Sequence, residues 1–203
     1  MHIAILTFDG FNELDSLIAL GILNRVKKPD WRVTLSSPTT SVTSMNGVTL
    51  QAQSTLAEAS TADAVLFGSG MKTRDIANDA QVMGQLRLDP ERQLIGAQCS
   101  GTLMLAKLGL LSRVPACTDL LTKPWVQEAG VEVLNQPFFA SGNLATAGGC
   151  LSSQYLAAWV IARLEGLEAA RSAMHYVAPV GEKELYVQRA MDNITPYLPG
   201  AGT

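Results

Sequence analysis

Charge is scarce in this chain: Lys, Arg, Asp and Glu make up 16% of its 203 residues, and the formal net charge is −3. It has no basic patch and no aromatic residues interleaved with basic ones, so no nucleic-acid partner is expected. Histidine is limited to two residues and cysteine to three. An odd cysteine count without CxxC or His-rich spacing indicates neither a disulfide framework nor a zinc site, and no metal or cofactor is expected. No segment approaches the roughly 20 consecutive apolar residues that span a bilayer, so no membrane partner is expected either. The opening MHIAILTFDG lacks the basic start and long apolar core of a secretory leader. A reducing cytoplasm is the expected compartment.

Apolar side chains are what the chain has in quantity, at 47%. That content over this length predicts one α/β domain spanning 1–203, with a substantial core. An apolar surface also fits an oligomer. There is no internal repeat, linker or low-complexity block.

The chain is organised around Gln93–Leu111. Leu94-Ile95-Gly96-Ala97 has the pattern of a buried strand, and a helical pattern follows through Leu103, Met104, Ala106, Leu108 and Leu111. At the junction stands Cys99, between Ala97 and Gly101. A nucleophilic side chain on a strand-to-helix turn among small residues is the pattern of a nucleophile elbow. The positive end of the following helix is expected to favour the thiolate. A free cysteine away from such a junction is ordinarily a small buried hydrophobe, and Cys117 and Cys150 are read that way.

Ahead of the elbow, residues 2–8 predict a central parallel strand, and Glu13–Val26 a helix with Asp15 near its start. Asp15 fits either a dipole-favoured carboxylate of a first helical turn or an acid of a site. Trp31–Ser36 reads as a strand. Val42-Thr-Ser and Val48–Ala52 flank Asn46-Gly47 as a hairpin, which suits a dimer contact or a site wall. Ala64–Phe67 is a buried strand ended by Gly68-Ser69-Gly70, a turn whose backbone N–H groups suit close approach to a ligand.

Beyond a helix over Thr73–Leu86 and the elbow itself, short strands are expected at Val114–Thr118, Val131–Asn135, Phe138–Ser141 and Leu144–Ala147. Helices are expected at Pro124–Ala129, Leu151–Leu164, Leu167–Tyr176 and Glu182–Tyr197, ahead of a loose tail, Pro199–Thr203. Alternation of this kind implies a mostly parallel sheet covered by helices on both faces, with ligands beyond the carboxyl ends of its strands. Asp15, Gly70 and Cys99 fall at that edge.

These residues resemble the ThiJ/PfpI family, a branch of the class I glutamine amidotransferase-like fold. The A-x-C-x-G elbow is Ala97-Gln98-Cys99-Ser100-Gly101, the acid after strand one matches Asp15, and the strand–Gly–helix segment matches Ala145–Gly149. Within the family the chain is most similar to isonitrile hydratases, which carry aspartate at the Asp15 position and a hydroxyl residue after the cysteine, here Ser100. Many protease-, amidase- and chaperone-type members place a histidine where this chain has Asp119, in Cys117-Thr118-Asp119. A carboxylate cannot act as the imidazole of a Cys–His–acid triad. His2 and His175 fall away from the elbow and are not expected to be catalytic.

The resemblance implies a small-molecule substrate, a homodimer, and hydration of an isonitrile with Cys99 as nucleophile and Asp15 as general acid and base. Backbone N–H groups of Gly70 and Ser100 are the expected donors to the intermediate, with Ser69, Thr118 and Asp119 lining the site. The Ser100 hydroxyl fits orienting the sulfur or a water, and equally capping the next helix. Two alternatives stand beside this one: a redox or carbonyl-stress protein acting through an oxidisable Cys99, and a non-enzymatic ligand-sensing domain.

Overall fold

Strand β1 (His2–Leu6) sends Ile3 and Ile5 into one apolar cluster and Ala4 and Leu6 into another on the opposite face. A strand buried on both faces carries no polar alternation, which explains its continuous apolar run. The same division recurs in β6 (Ala64–Phe67) and β7 (Leu94–Gln98). The computed structural model describes residues 1–200, so residues 201–203 of the expected tail lie outside it.

The sheet has seven strands in the order β5-β2-β1-β6-β7-β9-β8. The remaining members are β2 (Arg32–Ser37), β5 (Ser54–Thr55), β8 (Phe138–Ser141) and β9 (Leu144–Ala147). All pairings are parallel except the β8–β9 hairpin at one edge. Helices α1 (Glu13–Leu23), α7 (Ser153–Glu165), α8 (Leu167–Val177) and α9 (Lys183–Ile194) cover one face. On the other lie α2 (Leu56–Ala59), α3 (Thr73–Ala77), α4 (Ala80–Met83), α5 (Gly101–Lys107) and α6 (Lys123–Glu128). This is the α/β architecture expected from the alternating pattern.

Two local expectations are corrected, and the expected hairpin forms. The helix over Thr73–Leu86 is broken into α3 and α4, because the Asp79 side chain accepts from the N–H groups of Gln81 and Val82 and starts a new helix. The strands expected at Val114–Thr118 and Val131–Asn135 reduce to one parallel bridge, Ala116 to Val133. The hairpin forms as β3 (Ser41–Thr43) and β4 (Thr49–Gln51), a ribbon separate from the main sheet. It is moored to the loop after β1 by Gly10 N–H to Thr43 carbonyl (2.7 Å) and Met45 N–H to Phe11 carbonyl (2.9 Å).

Candidate active site

Cys99 follows β7 directly and has φ +48°, the one non-glycine residue with positive φ among those described. Such a conformation strains a residue with a Cβ by about 1–3 kcal/mol and persists where the surroundings over-determine it. Here Cys99 N–H donates to the Ala147 carbonyl (2.8 Å), and Thr118 Oγ1 donates to the Cys99 carbonyl (2.8 Å). Gly101 completes the bend, because a Cβ there would stand 2.6 Å from the Gly68 carbonyl oxygen and 2.8 Å from that of Phe67. The elbow read from the sequence is thus present and clamped on three sides.

The adjacent strand ends bring their loops to it. Asn12 N–H donates to the Ser69 carbonyl (2.8 Å), which seats the start of α1 on the Gly68-Ser69-Gly70 turn. Asn12 Oδ1 caps α1 by accepting from Leu14 N–H (3.1 Å). Asp15, in the first turn of α1, is buried and accepts a hydrogen bond from Ser69 Oγ, while its Oδ1 has no partner. One carboxylate oxygen of Asp15 and the sulfurs of Cys99 and Cys150 all lie within 4.8 Å of one another.

Cys150 was read from the sequence as structural, and the fold puts it in the site. It opens a short 3-10 turn, Cys150–Ser152, after β9 and Gly149, and β9 is the parallel neighbour of β7. The signal that could have placed it was the strand–Gly–helix segment at the same sheet edge. Asn12 Nδ2 donates to Cys150 Sγ (3.3 Å). Gln98, also missed, is buried beside the elbow, with Nε2 donating to the Gly149 carbonyl (2.8 Å) and lying 3.5 Å from Cys99 Sγ. Two sulfurs and a carboxylate at this spacing also make the kind of donor set a thiophilic cation takes.

Burial pushes the Asp15 carboxyl above the usual carboxylate range, against the Ser69 hydrogen bond. Burial, and then the charge of Asp15, push the Cys99 thiol up as well. The expectation of a thiol lowered by the helix dipole is therefore reversed in direction. Desolvation and a facing carboxylate outweigh the end of a seven-residue helix. The two groups titrate as one unit that resists double ionisation. Cys117 is fully buried, with its thiol pushed up to about 12 by burial. Its N–H donates to Thr146 Oγ1 (2.8 Å) and its carbonyl accepts from Thr102 Oγ1 (2.9 Å), in keeping with a structural part.

The other expected site residues divide. Gly70 N–H donates to Ser100 Oγ (3.2 Å), so it does not stand as a free donor. The Ser100 hydroxyl donates to Thr73 Oγ1 (2.9 Å), and it neither caps α5 nor touches the sulfur. The backbone N–H groups of Ser100 and Gly101 have no hydrogen-bond partner among the described residues. Ser69 is the Asp15 partner, and Thr118 holds the elbow carbonyl. Asp119 Oδ1 accepts from the N–H groups of Leu121 (2.9 Å) and Thr122 (3.0 Å), shaping the turn before α6. His2 pairs with Thr34 at the start of β1, and exposed His175 faces Glu184, so neither reaches the site.

Above Cys99 opens a cavity of about 530 Å³, whose lining includes Met45, Met71, Leu120, Leu121 and Trp125 together with Ser69, Asp119 and Cys150. Met45 comes from the β3–β4 loop, so of the two uses expected for the hairpin it serves as a site wall. No described helix is long and apolar enough to cross a membrane.

A cysteine at a strained strand-to-helix bend, facing a buried carboxyl across the carboxyl edge of a parallel sheet, defines a cysteine-centred α/β protein. The chain belongs to the DJ-1/PfpI family, also written ThiJ/PfpI, whose model matches residues 1–163. Among solved structures, a DJ-1 superfamily protein from Salmonella typhimurium is 26% identical, with 88% of this chain and 98% of that one covered and a TM-score of 0.74. Drosophila melanogaster DJ-1beta is 21% identical, with coverage of 87% and 96% and a TM-score of 0.76. A THiJ/PfpI family protein from Pseudomonas syringae is 17% identical, with coverage of 100% and 90% and a TM-score of 0.77. No curated protein sequence matches the chain.

Proposed function

We propose that the protein hydrates an isonitrile to an N-substituted formamide, with Cys99 as nucleophile and Asp15 as general acid and base. The observation that carries this reading is the pairing of Cys99 with a buried carboxyl of raised proton affinity, where no described histidine lines the cavity. A proton relay run by a carboxyl alone suits an electrophile that needs one proton on carbon and then one water.

Asp15 takes the thiol proton as sulfur attacks the terminal isonitrile carbon, and delivers it to that carbon, leaving a thioimidate. It next draws a proton from water, whose oxygen adds to the same carbon. That proton passes to nitrogen, the remaining hydroxyl proton passes through Asp15 to sulfur as the carbon–sulfur bond breaks, and the formamide leaves with the Cys99 thiol restored. A raised carboxyl affinity favours both transfers, since acid–base catalysis works best when the group titrates near the operating pH. The unengaged N–H groups of Ser100 and Gly101 are the donors for the adduct, and a donor of this kind contributes about 2.7–4 kcal/mol in comparable sites.

The apolar lining from Met45, Met71, Leu120, Leu121 and Trp125 supports an apolar substituent on the isonitrile nitrogen. It offers little to a small, strongly hydrated dicarbonyl such as a glyoxal. The test is a screen of wild type beside Cys99→Ala over isonitriles, glyoxals and small amides. Formamide production from an apolar isonitrile, lost in Cys99→Ala and cut about 10²–10⁴-fold in Asp15→Asn, is expected. Turnover of glyoxals or amides in place of isonitriles would overturn the assignment. The homodimer belongs to this reading too, with the apolar groove of Leu17, Ile18, Ile22, Met174 and Val177 as its face. A monomer by sedimentation at micromolar concentration would remove it.

A further inference from the structure

The hydration chemistry leaves one reactive group of the site unused. Cys150 lines the same cavity as Cys99, is half-buried where Cys99 is buried, and shares the Asp15 carboxylate with it. We propose that Cys99 and Cys150 form a two-cysteine redox centre, in which a hydroperoxide oxidises Cys99 and Cys150 traps the product as an intramolecular disulfide.

The geometry supports each step. The two sulfurs are at most 4.8 Å apart, and a disulfide needs about 2.05 Å. Closing that gap falls to the Cys150 side, because Cys99 is buried on a clamped backbone while Cys150 is half-buried at the start of a short 3-10 turn. The Asn12 amide, donating to Cys150 Sγ at 3.3 Å, holds that sulfur toward the site rather than toward solvent. The partnerless Asp15 Oδ1 is the buried acceptor that a proton relay between the two sulfurs requires.

The balance of the reaction follows from the groups present. The Cys99 proton passes to Asp15 as sulfur attacks the distal oxygen of the hydroperoxide. The O–O bond breaks, Asp15 returns the proton to the departing oxygen, and an alcohol or water leaves Cys99 as a sulfenic acid. Cys150 then attacks the Cys99 sulfur, its proton passes through Asp15 to the sulfenic oxygen, and water departs as the S–S bond forms. The two electrons that reduce the peroxide come from the two thiols. An external dithiol resets the pair by exchange, entering at Cys150, the more accessible sulfur. Trapping by a second thiol spares Cys99 the irreversible step to sulfinic acid.

The centre shares with the hydratase reading the premise of a reachable, nucleophilic Cys99, but it does not depend on the hydratase substrate. The test treats the reduced full chain with stoichiometric hydrogen peroxide, blocks free thiols, and maps the products by mass spectrometry without reduction. The expected wild-type product has lost two hydrogens, carries a Cys99–Cys150 linked peptide and reverts with dithiothreitol. Cys150→Ser is expected to give instead a Cys99 sulfenic acid trapped by dimedone, then a sulfinic acid. Wild-type protein that accumulates sulfinic acid at Cys99 with Cys150 still alkylatable, or that stays unoxidised, overturns the proposal. A linked pair in a protein that makes no formamide leaves the redox centre standing and removes the hydratase, and formamide turnover without the link does the reverse.

Discussion

Gln98 Nε2 donates to the Gly149 carbonyl at 2.8 Å and so ties the elbow that carries Cys99 to the turn that carries Cys150. One buried amide thus links the two turns that carry the sulfurs, even though they come from loops far apart in the chain.

Replacing that amide tests the tie. In Gln98→Leu the Gly149 carbonyl keeps the Ser152 N–H (2.8 Å) and loses only the Gln98 donor, and one hydrogen bond of this kind contributes about 0.5–1.5 kcal/mol. Urea denaturation should show a loss in that range, together with a lower yield of the Cys99–Cys150 link. An unchanged link yield would mean that the amide does not hold the two turns in register.

Gly101→Ala tests the bend itself. The added Cβ would meet the carbonyl oxygens of Gly68 and Phe67, at 2.6 and 2.8 Å. Backbone cannot yield as a flexible side chain does, so a destabilisation of about 1–3 kcal/mol is expected. For a chain of this size that lowers Tm by about 2–4 °C per kcal/mol, readable by calorimetry. Unchanged Tm would show that the α5 start is less tightly held than the distances imply.

The pH dependence of stability has a definite sign. Burial raises the Asp15 carboxyl above its unfolded value, so the folded protein binds the extra proton. This contribution is complete below the ordinary aspartate range and is lost as pH rises toward the raised folded value. Asp15→Asn removes it, and its Tm should fall less than that of wild type as pH is taken from about 4 to 7. Parallel Tm–pH curves for the two proteins would contradict the assigned direction.

Asp119→His should not create amidase activity. The aspartate holds the turn before α6 through two backbone N–H groups, and an imidazole at that place loses the turn without being aimed at the sulfur. The expected result is no amide turnover and a lower Tm, with Asp119→Asn close to wild type in Tm. Robust amide hydrolysis by Asp119→His would show that the loop tolerates and directs the ring.

Much of this protein was legible from its residues alone, wherever the information is local. The apolar run of β1, the strand-to-helix change around Cys99 and the small residues that permit the bend are properties of consecutive positions, and each appears where the pattern predicts it. Asp15 could be placed near the site because the carboxyl ends of parallel strands share one edge. The split of the Thr73–Leu86 helix was also local, in the cap formed by Asp79, but periodicity masks a cap of that kind.

What the residues one after another could not disclose is which loops touch. Cys150 has the composition of a structural cysteine, and it joins Cys99 only because β9 crosses over to pair with β7. The ionisation of the elbow cysteine was likewise decided in three dimensions. A helix terminus visible in sequence pulls the thiol down, whereas burial under the β6 turn and the facing Asp15 carboxylate push it up, and the second pair of forces is the stronger. Short-range pattern determined the central strands, the bend and the cysteine that sits on it. The packing of distant segments decided its neighbours and its charge, because desolvation and sulfur-to-sulfur distance exist only once the sheet has assembled.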